Sequence, residues 1–469
     1  MAGILSAIKL QEAGLNDFTV YEKGECLGGT WRENTYPGVA CDVPSHLYSY
    51  SFAPNPDWSH VFSPGPEIHD YFENVAARYK VVPFVRFGDE VTKMEFSDHR
   101  WHLTTAKGHK DVVDFVIAAT GVLHHPKMPD IEGLDTFAGS CFHSARWDHS
   151  VPLAGARVGI IGTGSSAVQI IASLAGKVGS LTVFQRTPQW VLKVENPPIP
   201  EEDRERYRRD PQAMVELHNL LSRQFSDNFA NAVVDAESKE VKLLEELCRM
   251  NLDSVSDPEL KAKLTPDYRA ACKRLVISPN FYEAMQEPTV SLVTEKILRC
   301  EPEGIRTVDG ELHGLDVLVL ATGFRVDRFL RPMEVYGRGG ISLEQVWAKR
   351  PTGYLSISIP EFPNLFMLNG PNGPVGNFSL IEVAELQYAY LMQLVDRVMG
   401  GSAREVCATQ SALDLFEKAR IEAARRTIWV TGCKSWYLDS EGVPAAWPWS
   451  FDRFREEMAA PVMEHYEFV

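Results

Sequence analysis

Hydrophobic positions along the chain switch between helical spacing and short apolar runs, and the switches mark out its elements. In the opening stretch Ile4, Leu5, Ile8 and Leu10, with small Ala7, share one helical face, and Gly14 stands where a C-cap is needed. The stretch lacks the basic flank of a secretory leader, so it reads as a buried amphipathic helix. A strand-like run over 18–21 follows and ends in Glu22. Short strands are predicted over 91–96 and 101–105, then a buried run over 112–119 that closes in Ala119-Thr120-Gly121. From 157 the pattern starts afresh, with a strand over 157–161, a glycine-rich turn, a helix over 168–174 and a strand over 181–185. Residues 200–272 are charge-dense, with apolar positions such as Leu217, Leu220 and Leu221 at helical spacing, which predicts a helical insertion. The β pattern returns at 290–293, in a hairpin around Asp309-Gly310, and in a run over 317–321 that ends Ala321-Thr322-Gly323. The last third mixes loops and helices, with a long helix over 381–398.

A helix, a turn and a strand ending in an acid form the second half of a dinucleotide-binding βαβ unit. The acid takes the ribose hydroxyls, and a glycine-rich turn about 20 residues earlier lets the backbone approach a pyrophosphate. Glu22 is that acid and Gly3 stands in the place of the third glycine, while the first strand and first two glycines have no counterpart. The expectation is therefore an N-terminally truncated unit. The second unit is whole: Gly162-Thr163-Gly164-Ser165-Ser166-Ala167 lies between a strand and a helix, where glycines admit phosphate and the helix start favours its charge. Arg186 occupies the strand end where an acid would select NAD, and a guanidinium there pairs with the 2′-phosphate of NADPH. Two such units, each closed by a strand running into Ala-Thr-Gly, predict an α/β fold of two interleaved Rossmann-like domains. The expected division is 1–148, lacking its first strand; 149–324, including the helical insertion at about 200–272; and 325–469, which completes the first unit and supplies the substrate side.

Composition narrows the classes. The 469 residues carry 47 basic and 63 acidic side chains, a net charge of −16 that disfavours nucleic acid as a partner. With 45% hydrophobic and 23% charged residues the chain is neither disordered nor fibrous. Its eight cysteines include no C-x-x-C pair, which predicts reduced thiols in the cytoplasm, without a zinc site or a disulfide framework. No apolar run reaches the ~18 residues of a transmembrane segment.

Two long patterns are more specific. Gly28-Gly29-x-Trp31-x-x-x-x-Tyr36-Pro37-Gly38-x-x-x-Asp42 and Phe137-x-Gly139-x-x-x-His143-x-x-x-Trp147-Asp148 resemble the two fingerprints of the type I Baeyer–Villiger flavin monooxygenases. Gln185-Arg186-Thr187-Pro188, Cys272-Lys273-Arg274 and Gly370-Pro371-Asn372 follow in that family's order. The Cys-Lys-Arg and Ser435-Trp436-Tyr437 segments look most like the 4-hydroxyacetophenone monooxygenase branch. The resemblance implies an enzyme with FAD and NADPH as cofactors that consumes O2 and turns a ketone into an ester or lactone, in a secondary-metabolite tailoring role. Glu22 would hold the FAD ribose, and Gly28, Gly29, Thr30 and Trp31 would line the flavin side. Gly162, Thr163, Gly164, Ser165, Ser166 and Ala167 would cradle the NADPH pyrophosphate, and Arg186, Thr187 and Lys273 would read its 2′-phosphate. Arg274 would reach the flavin's oxygen-reactive face with Asp42 bonded to it. A permanently charged arginine suits that place, because a C4a-peroxyflavin anion needs a fixed cation and a dry site.

Two other readings stay open at this stage. An N- or S-oxygenating flavin-containing monooxygenase would fit the cofactors, although that relative ends the second fingerprint with Tyr where this chain has Trp147-Asp148. A catalytically inactive, truncated homologue would fit the missing strand. His143 is expected to fix the joint between the domains and Trp147 to pack. Trp429 and Trp436 are candidates for the cofactor-channel wall or for ordinary burial.

Overall fold

The computed structural model describes residues 1–469 except Asn377 and Trp436. At its centre is a five-stranded, fully parallel sheet. Its order is Val290–Val293, Ser180–Phe184, Arg157–Ile161, Val317–Leu320 and Ser140–His143. Parallel strands covered on both faces read as unbroken apolar runs, and Val158–Ile161 and Val317–Leu320 are buried throughout. The helix Ser165–Leu174 covers one face through Val168, Ile170, Ile171 and Leu174. Ser140–His143, an edge strand, is supplied from before residue 149.

The first unit is built from both ends of the chain. Val116–Ala118 pairs in parallel with Leu365–Met367, and Val20–Tyr21 pairs in parallel with Val85–Arg86. Among the described residues no strand joins these two pairs, so each has an open edge. The predicted run over 112–119 is really two strands. Lys110–Val113 belongs to an antiparallel surface sheet with Arg100–Thr105 and Val91–Ser97, and the chain then turns at Asp114-Phe115 into the buried Val116–Ala118 pairing. The opening helix spans Ala2–Glu12, buries Ile4, Leu5, Ala7 and Ile8, and packs on the long helix Leu380–Met399. Gly14 takes φ 78°, and Leu15 N–H reaches back to Leu10 O at 2.9 Å, the left-handed termination that a glycine allows without strain. The insertion holds the helices Glu201–Arg209, Pro211–Phe225, Lys239–Leu252 and Pro258–Leu264.

One expectation is overturned. Cys272 and Cys433 form a disulfide with their Cα atoms 6.1 Å apart, so the chain does not carry eight reduced thiols. The other six cysteines are free. A sequence separation of 161 leaves no local spacing that could have announced the bond.

Candidate active site

A single cavity of about 2950 Å³ runs along both units and joins them. Small-molecule sites usually occupy about 300–1,000 Å³, so this one has room for two extended dinucleotides and a substrate between them.

The glycine-rich turn forms one end. Gly162 has φ 122°, and a Cβ there would lie 2.3 Å from Ala321 O, so only glycine lets the two strand ends approach. Gly164 faces open space, and Ser165 and Ser166 begin the helix behind it. Unpaired N–H groups at a helix start facing a cavity form a cradle for phosphate. Thr163 donates to Thr187 O at 2.7 Å and locks the turn to the next strand's exit. Ala167 is fully buried and does not line the cavity: it seats the helix on the sheet. Arg186 is exposed into the cavity beside Thr187. Lys273 lies 4.3 Å over the Tyr268 ring. Burial lowers its ammonium pKa, Asp267 acts in the opposite sense, and the positive charge of Arg186 adds a smaller lowering. Two cations near enough to repel each other are a place prepared for an anion.

The other end carries Gly3, Glu22 and the Gly28–Trp31 turn. Gly3 faces Ala119, whose Cβ would be 3.7 Å from a Cβ added at the glycine, a close helix-to-strand contact. Glu22 accepts from Gly24 N–H at 2.7 Å and pairs with Arg32 at 3.0 Å. Gly28, at φ 112°, presses on His69, and Gly29, at φ 54°, borders open space. Thr30 and Trp31 open a four-residue helix, and the Trp31 indole donates to Tyr48 Oη at 3.1 Å. These residues too line the cavity, so the donor set fits two adenine dinucleotides with their phosphates on open glycine backbone.

The remaining fingerprint residues dock the two units on each other. Tyr36 Oη donates to Gln169 Oε1 at 2.9 Å, and Gln169 Nε2 donates to Ala40 O at 3.0 Å. A Cβ at Gly38 would come within 2.7 Å of Gln169 O. This docking presents Asp42 to Arg274 from 232 positions away. One guanidinium nitrogen bonds Asp42 Oδ2 and the other donates to Gly376 O at 3.1 Å. Both side chains stay about 30% exposed, 30% for Arg274 and 28% for Asp42, and the exposed part faces the cavity. Burial is the largest single influence and would lower the Arg274 pKa, but the charge and hydrogen bond of Asp42, together with Tyr437 and Cys41, outweigh it in sum, so the guanidinium stays fully protonated.

His143 is structural. Its Nδ1 accepts from Ala145 N–H at 3.1 Å, so Nε2 carries the proton and donates to Gly323 O at 3.1 Å, tying the inter-unit joint to the Ala-Thr-Gly closure. Trp147 packs edge-on against Phe142, with centroids 5.0 Å apart. Trp429 is fully buried and does not line the cavity, and Trp436 lies outside the described residues. Sequence reasoning missed Arg32, whose only signal was its place beside Trp31. It also missed Tyr437, whose hydroxyl donates to the same Gly376 O at 3.1 Å. His124, on the cavity wall, was missed as well: burial, helped by the neighbouring His125 and Lys23, pushes its imidazole down to about 4.

Known proteins share this arrangement. The pyridine nucleotide-disulphide oxidoreductase family matches residues 1–202. An uncharacterised monooxygenase of Mycobacterium tuberculosis is 46% identical over 450 residues, covering 96% of this chain and 90% of the relative. A Baeyer–Villiger monooxygenase of Streptomyces coelicolor is 38% identical, over 99% of this chain and 90% of its own length. Among solved structures, OTEMO in complex with FAD and NADP superposes with a TM-score of 0.91 at 26% identity, over 100% of this chain and 97% of that one.

Proposed function

Because the chain belongs to the type I Baeyer–Villiger flavin monooxygenases, we propose that its chemistry is organised by Arg274, held between Asp42 and Gly376 where the two dinucleotide cradles meet. The enzyme uses FAD, NADPH and O2 to insert one oxygen beside a ketone carbonyl. A bound flavin would supply the redox chemistry that makes dioxygen an oxygen donor.

What falls to the protein is binding, orientation and field. Gly162, Gly164, Ser165 and Ser166 hold the NADPH pyrophosphate on backbone N–H groups, Thr163 fixes that turn, and Ala167 seats the helix behind it. Arg186 and Lys273, with Thr187, take the 2′-phosphate. Glu22 holds the FAD ribose with Arg32 orienting its carboxylate, while Gly3 and the Gly28-Gly29-Thr30-Trp31 turn line the rest of that cofactor. Arg274 keeps its proton at any working pH and places a fixed positive charge where negative charge collects on oxygen, first on the donor and then on the carbonyl under attack. Asp42 and Gly376 O define two directions for the guanidinium, so it can swing between cofactor and substrate without losing both partners at once. The pair's position at the joint between the units is the observation that carries this reading.

The finer assignments rest on narrower support. The division at 148 and 324 is supported by the central five-stranded sheet, four of whose strands lie within 149–324, with Ser140–His143 as the exception. A unit one strand short is supported by the open edges of Val20–Tyr21 and Val116–Ala118. Placement near the 4-hydroxyacetophenone monooxygenase branch, and with it an aryl ketone as substrate, rests on Cys272-Lys273-Arg274 and on Ser435 and Tyr437. No helix among the described residues is long and apolar enough to cross a membrane. The test is NADPH- and O2-dependent conversion of an aryl methyl ketone to its ester, with a thioether in competition. Sulfoxide without ester, or hydrogen peroxide alone, would count against the reading.

A further inference from the structure

The disulfide that the sequence did not announce sits two residues from Arg274. Cys272 is fully buried, and Cys433, 6% exposed, lies just under the surface between exposed Gly432 and Lys434. Followed outward, the two arms of the cystine meet again. One arm runs through Lys273 to Arg274, whose Nη1 donates to Gly376 O at 3.1 Å. The other runs to Tyr437, whose hydroxyl donates to the same oxygen at 3.1 Å. The cystine thus closes a ring whose far side is the carbonyl that holds Arg274.

Ala271, next to Cys272, holds φ 63°, a left-handed conformation that a residue with a Cβ keeps only where its surroundings fix it. Both cysteines sit in one buried apolar cluster with Ala271, Trp429 and Tyr437, in which the Trp429 and Tyr437 rings lie 5.1 Å apart.

Resting on the reading of Arg274 above, we propose that the Cys272–Cys433 cystine is a positioning element for Arg274 and Tyr437, and that a dithiol opens it and uncouples NADPH oxidation from ester formation. In the opening step one thiolate of the dithiol attacks a cystine sulfur and its second thiol displaces the mixed disulfide. The dithiol loses two electrons and two protons and closes to a cyclic disulfide, and the protein gains both as two thiols. Freed of the cystine, the 271–274 segment relaxes, and a displacement near 1 Å at a catalytic group costs on the order of 10²-fold in rate. Hydride delivery does not use Arg274, so NADPH oxidation continues and its electrons leave as hydrogen peroxide.

The test uses the FAD-loaded full chain, with and without dithiothreitol. Alkylation and mass spectrometry should label Cys272 and Cys433 only after reduction. Hydrogen exchange should then rise in peptides spanning 268–276 and 428–437, a readout independent of turnover. The ester formed per NADPH should fall roughly threefold or more. The Cys272→Ala/Cys433→Ala protein should match the reduced wild type and ignore dithiothreitol; if it fails to fold, the wild-type comparison decides alone. Labelling of both cysteines without reductant, a cystine that resists dithiothreitol in the native protein, or unchanged exchange and coupling after complete reduction would overturn the proposal. Survival of ester formation in Arg274→Ala would instead sink the assignment of Arg274 on which it rests.

Discussion

Replacing Arg186 by alanine should erode the preference for NADPH over NADH, and the structure bounds by how much. A charge-assisted hydrogen bond contributes about 1.5–3 kcal/mol, and each 1.4 kcal/mol is a factor of about ten in an equilibrium. Loss of Arg186 alone would then cost between about tenfold and somewhat more than a hundredfold in selectivity. Lys273 pulls the figure toward the lower end. Its ammonium stays beside the emptied position, freed of the repulsion from Arg186, and can still pair with the 2′-phosphate. The expected fall in the NADPH/NADH ratio of kcat/KM is therefore roughly tenfold to thirtyfold, almost all of it from the NADPH side. Steady-state kinetics with both nucleotides, on Arg186→Ala, Lys273→Ala and the double variant, measures this. The double variant should lose more than the sum of the two single free-energy losses, because each cation partly replaces the other. An unchanged ratio in Arg186→Ala, or equal losses with NADH and NADPH, would refute the assignment of this corner to the 2′-phosphate.

Arg274→Ala should leave flavin reduction by NADPH within a few-fold of wild type while ester falls by about 10²-fold or more, as expected when a preorganised charge at the reacting oxygen is lost; stopped-flow reduction and product analysis separate the two. Gly162→Ala places a methyl group 2.3 Å from Ala321 O at φ 122°, so about 3 kcal/mol of stability should be lost and NADP+ affinity should fall with it, as read by denaturant unfolding and calorimetry. His46 and His124 are both pushed down to about 4 by burial, so between their ordinary 6.5 and about 4 the unfolded chain binds protons that the folded chain refuses. Stability should therefore be full above about pH 6.5 and fall as pH drops toward 4, and His124→Gln should flatten part of that slope in melting curves taken across the range.

Local patterning carried much of this architecture. The runs at 158–161 and 317–320 are strands because both sheet faces are covered, and an unbroken apolar stretch between turn residues has few other uses. The glycine turn was legible for a related reason, since the backbone conformation and the contact with Ala321 O exclude other residues at Gly162. The errors fall where the deciding contact is remote. The 112–119 run contains two strands because Leu365–Met367, almost 250 positions downstream, claims one half and the surface meander the other. Trp429 could not be assigned to wall or core from its neighbours in sequence, because the insertion residues that cover it, Ala232 and Val233, lie about 200 positions away.

The Asp42–Arg274 pair shows how far resemblance extends local reading and where physics must take over. Neither residue is marked by its own surroundings: Asp42 sits in a proline-bounded loop and Arg274 in a dibasic pair of the kind that usually faces water. The fingerprint named the partners, and the structure supplies the reason they meet. Tyr36 and Gly38, in the same fingerprint, grip the helix behind the second cradle through Gln169, so the motif works as a docking device that delivers its final aspartate across the joint. Removing one partner of a partly buried ion pair leaves the other charge uncompensated, typically at 3–5 kcal/mol when burial is complete and less here, where both side chains keep about 30% exposure. That remaining exposure is the functional feature. A fully buried pair would be too firmly fixed to offer its charge to a changing set of oxygens, and a fully solvated one would be too screened to matter.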